Sequence, residues 1–472
     1  MSKYAEASFW LDTLDESVES LEPRASLAGD IDADVAIVGA GYTGLWSAYY
    51  LKQHAPDLRV VIVEAETAGF GASGRNGGWV AGYISGLEKY VAPLPMAQRR
   101  ACCKLLFENV DAIAAALARE QIDADFHKGG VVYAAARFPE QEKRQRAVLA
   151  QLYAAGHTED DCYWLSKREL DRTVQLRDGF GGVFKRHCAT INPARMVRGL
   201  ARAVERLGVP IFEQSRATAI RAGIVETAQG RVKAPIVIPA LEGYASSVPG
   251  FGRYVIPVQS LIVATEPLSD ALWDEIGLHT RPAFCDGSKM VSYGQRTRDG
   301  RMIFGARGGY RFRSRPRSTF RLADPEFRLR EALLYDLFPM LKGVRITHGW
   351  GGSLGMARAF APHVVFDKAS GIGMAGGYGG QGVGPSHLFA RTLADLVLGR
   401  ETERTAMPWV FASQAPSRVL RAWEPEPVRW LTSRAIMSTF EWEENLCRIG
   451  AATQWKKAFA MKLSDSMSLL MR

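Results

Sequence analysis

One decapeptide limits the folds open to this chain more than anything else in it: Val35-Ala-Ile-Val-Gly39-Ala-Gly41-Tyr42-Thr43-Gly44. Four apolar residues read as a buried strand, three glycines at GxGxxG spacing read as a tight turn, and a helix follows. Gly39 permits the turn, Gly41 lets backbone amides approach a pyrophosphate, and Gly44 lets helix and sheet pack closely. A second apolar run, Arg59-Val-Val-Ile-Val63, ends on Glu64, 20 residues after Gly44. A carboxylate at roughly that distance grips ribose hydroxyls. Glycine turn, two strands and acid together specify a βαβ unit that binds an adenine dinucleotide.

Which dinucleotide is set just downstream. The run Gly69-Phe70-Gly71-Ala72-Ser73-Gly74-Arg75-Asn76-Gly77-Gly78-Trp79 is too rich in glycine for a helix or strand interior. Placed after the second strand, it lays open backbone amides along a long ligand. A nicotinamide cofactor has no need of that second loop. FAD has, because its pyrophosphate and ribityl chain run back across the sheet edge. A third cluster, Gly376-Gly377-Tyr378-Gly379-Gly380-Gln381-Gly382-Val383-Gly384-Pro385, precedes a helical pattern through Leu388, Leu393, Leu396 and Leu398. Pro385 suits a first helical turn, whose free amides point into the loop. Aimed at a flavin ring, such a helix end stabilises negative charge on the reduced isoalloxazine.

With these elements in order, the chain resembles the FAD-dependent oxidoreductases of the D-amino acid oxidase, glycine oxidase and sarcosine oxidase superfamily, and within it the gamma-glutamylputrescine oxidoreductase-like branch. The residues that carry the resemblance are Gly39 to Gly44, Gly71 to Gly78, Ala240-Leu-Glu-Gly-Tyr244, Trp350-Gly-Gly352, Gly376 to Val383, Pro408-Trp-Val410 and Trp423 to Trp430. It spans residues 8 to about 430. The implied fold joins α/β and α+β parts: a Rossmann-like FAD-binding domain of the glutathione-reductase type interleaved with an antiparallel-sheet substrate domain. The expected division is an arm over residues 1–30, an FAD-binding domain from 31–90, 186–249 and 346–404, a substrate domain from 91–185 and 250–345, and a helical tail over 405–472. The segments 216–220 and 236–239 are both expected to return the chain to the FAD sheet.

The resemblance also implies contacts. Gly39, Gly41, Tyr42, Thr43 and Gly44 form the first turn, and Glu64 with Ala65 takes the adenosine ribose. Ser73, Gly74, Arg75, Asn76, Gly77 and Gly78 line the pyrophosphate, ribityl chain and ring, and Ala217 lies near the adenine. Gly379, Gly380, Gln381, Gly382, Val383 and Gly384 border the isoalloxazine. Relatives with a covalent flavin use a Cys near Trp350 or a His after the Gly71 loop; this chain has neither, so the FAD is expected to be non-covalent.

In such enzymes hydride leaves a carbon next to an amine for flavin N5, giving an imine that water hydrolyses, and the protein positions the amine. Arg75, as a fixed positive charge, and Gln381, as an orienting hydrogen-bonder, are the expected catalytic groups. Tyr293 and Tyr378 are candidate substrate-pocket walls, and His187, His363 and His387 are candidate acid–base groups whose simpler reading is structural. Departures from the pattern narrow the substrate. Gly384 stands where sarcosine oxidase-like members carry a carboxylate-binding lysine, Leu354 stands near the glycine oxidase arginine, and Ile303 near the oxygen-activating lysine. Gln381 and Leu241 replace the Asp and Thr usual in nearer relatives. These differences argue against a simple α-amino acid and against efficient use of oxygen. A small-molecule amine is the expected substrate, with oxygen or another electron acceptor left open.

Composition excludes little else. The 472 residues are 47% hydrophobic and 23% charged, as in an ordinary globular protein. No apolar run approaches the roughly 20 residues of a membrane span, and the N-terminus lacks a signal-peptide core, so a cytoplasmic location is expected. The six cysteines show no CxxC and no metal-like spacing with histidine; no metal site is expected. Net charge is +9, yet residues 295–321 hold nine arginines against Asp299. Such a block attracts anions, which keeps a flavoenzyme acting on a modified tRNA base as a competing reading. The arginines sit beside glycines and turn residues without a recognised RNA-binding module, so a solvated loop is preferred to a nucleic-acid partner. A flavin-binding scaffold subunit without turnover is the third reading. In the tail, Trp455, Phe459, Leu463, Met467 and Met471 recur every four residues, an amphipathic row expected to pack on the body or form a homo-oligomer seam in preference to a membrane surface.

Overall fold

The computed structural model describes residues 4–15, 19–448 and 452–470. Val35–Val38 and Val60–Val63, short and rich in β-branched residues, form parallel neighbours in register Val35 to Val60 through Val38 to Val63. They lie inside a seven-stranded sheet in the order Val410–Ala412, His363–Asp367, Ile372–Gly376, Ile236–Pro239, Val35–Val38, Val60–Val63, Ile211–Phe212. Only His363–Asp367 and Ile372–Gly376 pair antiparallel there. The helices Tyr42–His54 and Val383–Val397 pack together over the sheet in one core that holds Leu45, Trp46, Tyr49, Leu388, Phe389 and Leu393. Each such side chain removed from water contributes about 1.5–3 kcal/mol. Pro193–Arg206 is N-capped by Asn192, whose side chain accepts from the Arg195 amide at 3.1 Å.

A second sheet of eight strands runs Ile346–Ala357, Val255–Thr265, Met302–Tyr310, Ser292–Arg296, Ala283–Asp286, Val131–Ala135, Gly181–Lys185, Cys162–Leu165. It is antiparallel except where Ala283–Asp286 meets Val131–Ala135. One face is covered by Phe327, Leu334 and Leu337 of the helix Pro325–Leu337. On the other, Ile262, Ile303 and Trp350 pack against Phe9, Trp10 and Leu11 of the N-terminal segment. Ser8 Oγ then donates to the Gly74 carbonyl and Trp10 Nε1 to the Asn76 carbonyl, each at 2.8 Å.

Three expectations are corrected. Ala217–Arg221 does not join the FAD sheet; it forms a separate four-stranded sheet with Ile224–Thr227, Arg231–Lys233 and Ile31–Asp32. Residues 346–357 do not re-enter the FAD-binding unit, because they extend the eight-stranded sheet as its edge strand. Of the two arrangements expected for the tail row, burial in the body is not the one seen, although Phe459 meets Trp442 edge-on at 6.2 Å; the homo-oligomer seam stays an expectation. In the helix Gln454–Leu469, Trp455, Phe459 and Leu463 are 67%, 56% and 37% exposed, while Lys457, Ala460 and Ser464 are buried against the helix Val428–Arg448. Met471 lies outside the described residues. No helix among them is long and apolar enough to cross a membrane, and no cluster of His, Cys, Asp or Glu among them could hold a metal.

Candidate active site

A cavity of about 1190 Å³ opens at the carboxyl ends of Val35–Val38 and Val60–Val63, where ligands of open α/β sheets bind. Gly39 turns the chain at φ +110°, and a Cβ on Gly44 would lie 2.0 Å from the Gly39 carbonyl oxygen, so only glycine lets helix and strand approach this closely. The other two glycine loops are tied to the start of the same helix. Ser73 Oγ accepts from the Tyr42 amide at 2.9 Å, and Thr43 Oγ1 and the Tyr378 hydroxyl lie 2.8 Å apart. Glu64 is held at the strand end by the amides of Ala40 and Glu66, at 2.8 and 2.9 Å, and burial raises its pKa. Three glycine loops thus converge on one helix N-terminus, with an acid beside it and an open cavity between.

The profile of the DAO family, described as FAD dependent oxidoreductase, matches residues 34–396. The chain belongs to the DAO family of FAD-dependent oxidoreductases. It is 30% identical over 381 residues to the probable oxidoreductase OrdL of Haemophilus influenzae, covering 78% of this chain and 83% of that one. It is also 30% identical over 395 residues to the gamma-glutamylputrescine oxidoreductase of Escherichia coli, covering 81% and 88%. Among solved structures, glycine oxidase from Geobacillus kaustophilus superposes with a TM-score of 0.66 at 19% identity, over 81% of this chain and 99% of that one. L-proline dehydrogenase from P. horikoshii gives 0.66 at 15% identity, over 84% and 100%. The cofactor of this DAO-family enzyme is FAD.

Of the residues expected at the FAD, the cavity is lined by Gly39, Gly41, Tyr42, Thr43, Glu64, Ala65, Ser73, Asn76, Ala217, Gly380, Gly382 and Val383, and by Tyr378. Gly44, Gly74, Gly77, Gly78, Gly379 and Gly384 lie behind this wall as packing positions. The expected catalytic pair is placed elsewhere. Arg75 is 1% exposed; its Nε donates to the Phe70 carbonyl at 2.7 Å and Nη1 to the Ser318 carbonyl at 2.6 Å. Its guanidinium clamps the second loop to the segment before Pro325–Leu337 and does not face the cavity. Gln381 turns outward, its Oε1 accepting from the Ser85 amide at 2.7 Å and hydroxyl at 3.0 Å. Tyr293 packs where a Cβ on Gly77 would come within 2.5 Å of its ring, and its hydroxyl meets Ser260 Oγ at 2.5 Å. Burial pushes that phenol up to about 12.

None of the three histidines lines the cavity. His187 stacks on Phe107 with centroids 4.0 Å apart and bonds Asp161. His363 bonds the Ala361 carbonyl at 2.8 Å, and burial lowers it to about 4. His387 joins Tyr50 and Asn109, each at 2.6 Å, and is lowered to about 3. Among the lining residues not expected at the site are Glu242, Tyr244 and Ser353. The signal for the first two was available, since Ala240-Leu-Glu-Gly-Tyr244 directly follows the strand Ile236–Pro239 and so sits at a carboxyl end. Glu242 is buried, which lifts its carboxyl to about 7, and one of its oxygens accepts from the Gly355 amide.

Proposed function

We propose that this enzyme oxidises the carbon–nitrogen bond of a small amine that lacks an α-carboxylate at the reacting carbon. The observation that carries the reading is the cavity wall at Leu354, an apolar side chain 3.4 Å from a Cβ built on Gly380. An apolar wall favours a neutral amine, the form that gives up hydride, over a zwitterionic amino acid. FAD, once bound, supplies the two-electron acceptor. The protein's own contribution is positional. The helix Val383–Val397 brings Gly382 and Val383 to the cavity with its positive end, while Tyr378, Leu241 and Leu354 exclude water from it. No lining residue is a Cys or a His, which supports non-covalent FAD. Buried, apolar Ile303 supports an acceptor other than oxygen.

The competing tRNA reading is less favoured because three of the nine arginines in the block, Arg298, Arg301 and Arg317, are spent on carboxylates of this chain. Arg298 pairs with Asp123 and Asp125, each at 2.9 Å, and Arg301 with Asp299 at 2.8 Å. The test is an anaerobic titration of the holoenzyme with gamma-glutamylputrescine, other mono- and diamines, and N-methyl amino acids. An unsubstituted amine is expected to bleach the oxidised flavin, and readmitted air to restore it only slowly. Bleaching by α-amino acids alone would sink the reading.

A further inference from the structure

The cofactor cavity stops at Ser353 and Leu354, but the sheet face that carries Leu354 continues. Leu354 pairs with Val258, and Met356 with Ile256, across the Val255–Thr265 strand. Alternate residues of a strand share a face, so the wall at Leu354 and Val258 leads straight on to Met356 and Ile256. With Tyr310 and Trp423, these line a second cavity of about 560 Å³. Its opposite wall is the helix Val428–Arg448, through Ile436 and Met437. That helix lies beyond residue 396, where the family match ends.

Arg307 stands at the polar end of this space. The register slips between Ser260, which pairs with Arg307, and Val258, which pairs with Tyr310. A bulge of this kind re-aims side chains, and here Gly308 and Gly309 absorb the extra length. Arg307 lines both the apolar cavity and an adjoining one of about 910 Å³, which share Gly308, Tyr310, Ser433 and Met437. Two neighbouring arginines have partners of their own. Arg317 pairs with Asp324 at 2.5 Å and Glu326 at 2.9 Å. Arg330 donates to the carbonyls of Glu326 and Arg307 at 3.1 and 2.6 Å. The Arg307 guanidinium has no carboxylate and no hydrogen-bond acceptor among the described residues, and burial lowers its pKa. Arg307 is half-buried, so its unpaired guanidinium at the cavity wall is open to water or to a bound anion. Its rigid fork of donors matches a carboxylate.

We propose that Arg307 and the cavity beneath the helix Val428–Arg448 bind the end of the substrate remote from the reacting amine, an apolar chain that closes on a carboxylate. This rests on the amine reading above and goes beyond it by naming what lies at the other end of the molecule. The apolar walls take the chain, the guanidinium takes the charge, and the shared sheet face joins both to the cofactor cavity.

Two probes of one shape separate charge from fit: sodium hexanoate and its neutral isostere hexanamide. Binding to the holoenzyme is read from the shift in bound-flavin absorbance and from the rise in Tm. Hexanoate is expected to bind the wild type at least tenfold more tightly than hexanamide. Arg307→Gln should abolish that preference, Arg307→Lys should restore part of it, and Met437→Trp should weaken both probes by filling the cavity from the helix side. Equal affinity of the wild type for both probes would overturn the proposal, as would hexanoate affinity unchanged in Arg307→Gln or in Met437→Trp. The Met437→Trp arm decides alone where the arginine variants do not fold. An enzyme that no amine reduces, yet whose hexanoate binding needs Arg307, defeats the amine reading and keeps the site. Amine reduction with no preference for hexanoate does the reverse.

Discussion

Glu242 is the side chain whose protonation bears most directly on the cofactor site. Its carboxyl, ordinarily near 4.5, titrates near about 7 because burial penalises the charged form more than the amides of Gly355 and Gly243 favour it. The folded protein therefore holds this proton more tightly than the unfolded chain. The resulting stabilisation is complete below about pH 4.5 and is lost as pH rises through about 7. Glu242→Gln keeps an acceptor for the Gly355 amide and removes the titration. Its flavin-free form is expected to lose less Tm than the wild type between pH 5 and pH 8. Thermal melts of both proteins across that window check this; parallel curves would show that Glu242 does not titrate there.

Among the elements, those legible in the sequence were the ones whose signal is local. The glycine turn, the helix after it and the strand ending on Glu64 follow from spacing within thirty residues. What sequence spacing does not carry is which strand pairs with which. The resemblance placed Ile346–Ala357 in the FAD-binding unit, yet its partner is Val255–Thr265, some ninety residues earlier. Side-chain direction in loops was equally illegible. Arg75 and Gln381 lie in loops where neither strand nor helix periodicity says which way a group points, and both turn to backbone or surface partners. The element most exposed to a single change is the Tyr42–His54 helix. Gly44→Ala puts a methyl 2.0 Å from the Gly39 oxygen and 3.1 Å from Ile37 Cγ2, so the helix must lift off the sheet. A stability loss of about 1–3 kcal/mol is expected, accompanied by loss of bound FAD. A Gly44→Ala protein that purifies with full flavin occupancy would contradict this account of the turn.

At the scale of the whole molecule, the C-terminal helices are fastened by charge rather than by their apolar row. Arg137, whose side chain is 2% exposed, reaches Asp286 of the eight-stranded sheet and Glu444 of the helix Val428–Arg448, the latter at 2.6 Å. Arg144 reaches Glu443, and Lys457 reaches Glu140 at 3.1 Å. A buried ion pair adds little net stability, because desolvation offsets attraction, but removing one partner strands the others and costs about 3–5 kcal/mol. Arg137→Met therefore leaves Asp286 and Glu444 facing each other without their cation. It is expected to lower Tm strongly and to loosen the helix that walls the second cavity, while the FAD loops, built from other segments, keep their cofactor. The outward row behaves oppositely. Trp455→Ser with Phe459→Ser removes exposed side chains, and such surface changes cost within about 0.5 kcal/mol. Comparing Tm, flavin content and protease sensitivity of the tail in the two variants separates the cases. If the double serine variant melted as early as Arg137→Met, the apolar row would be buried in the native particle, and the tail's outer face would be a subunit contact rather than a free surface.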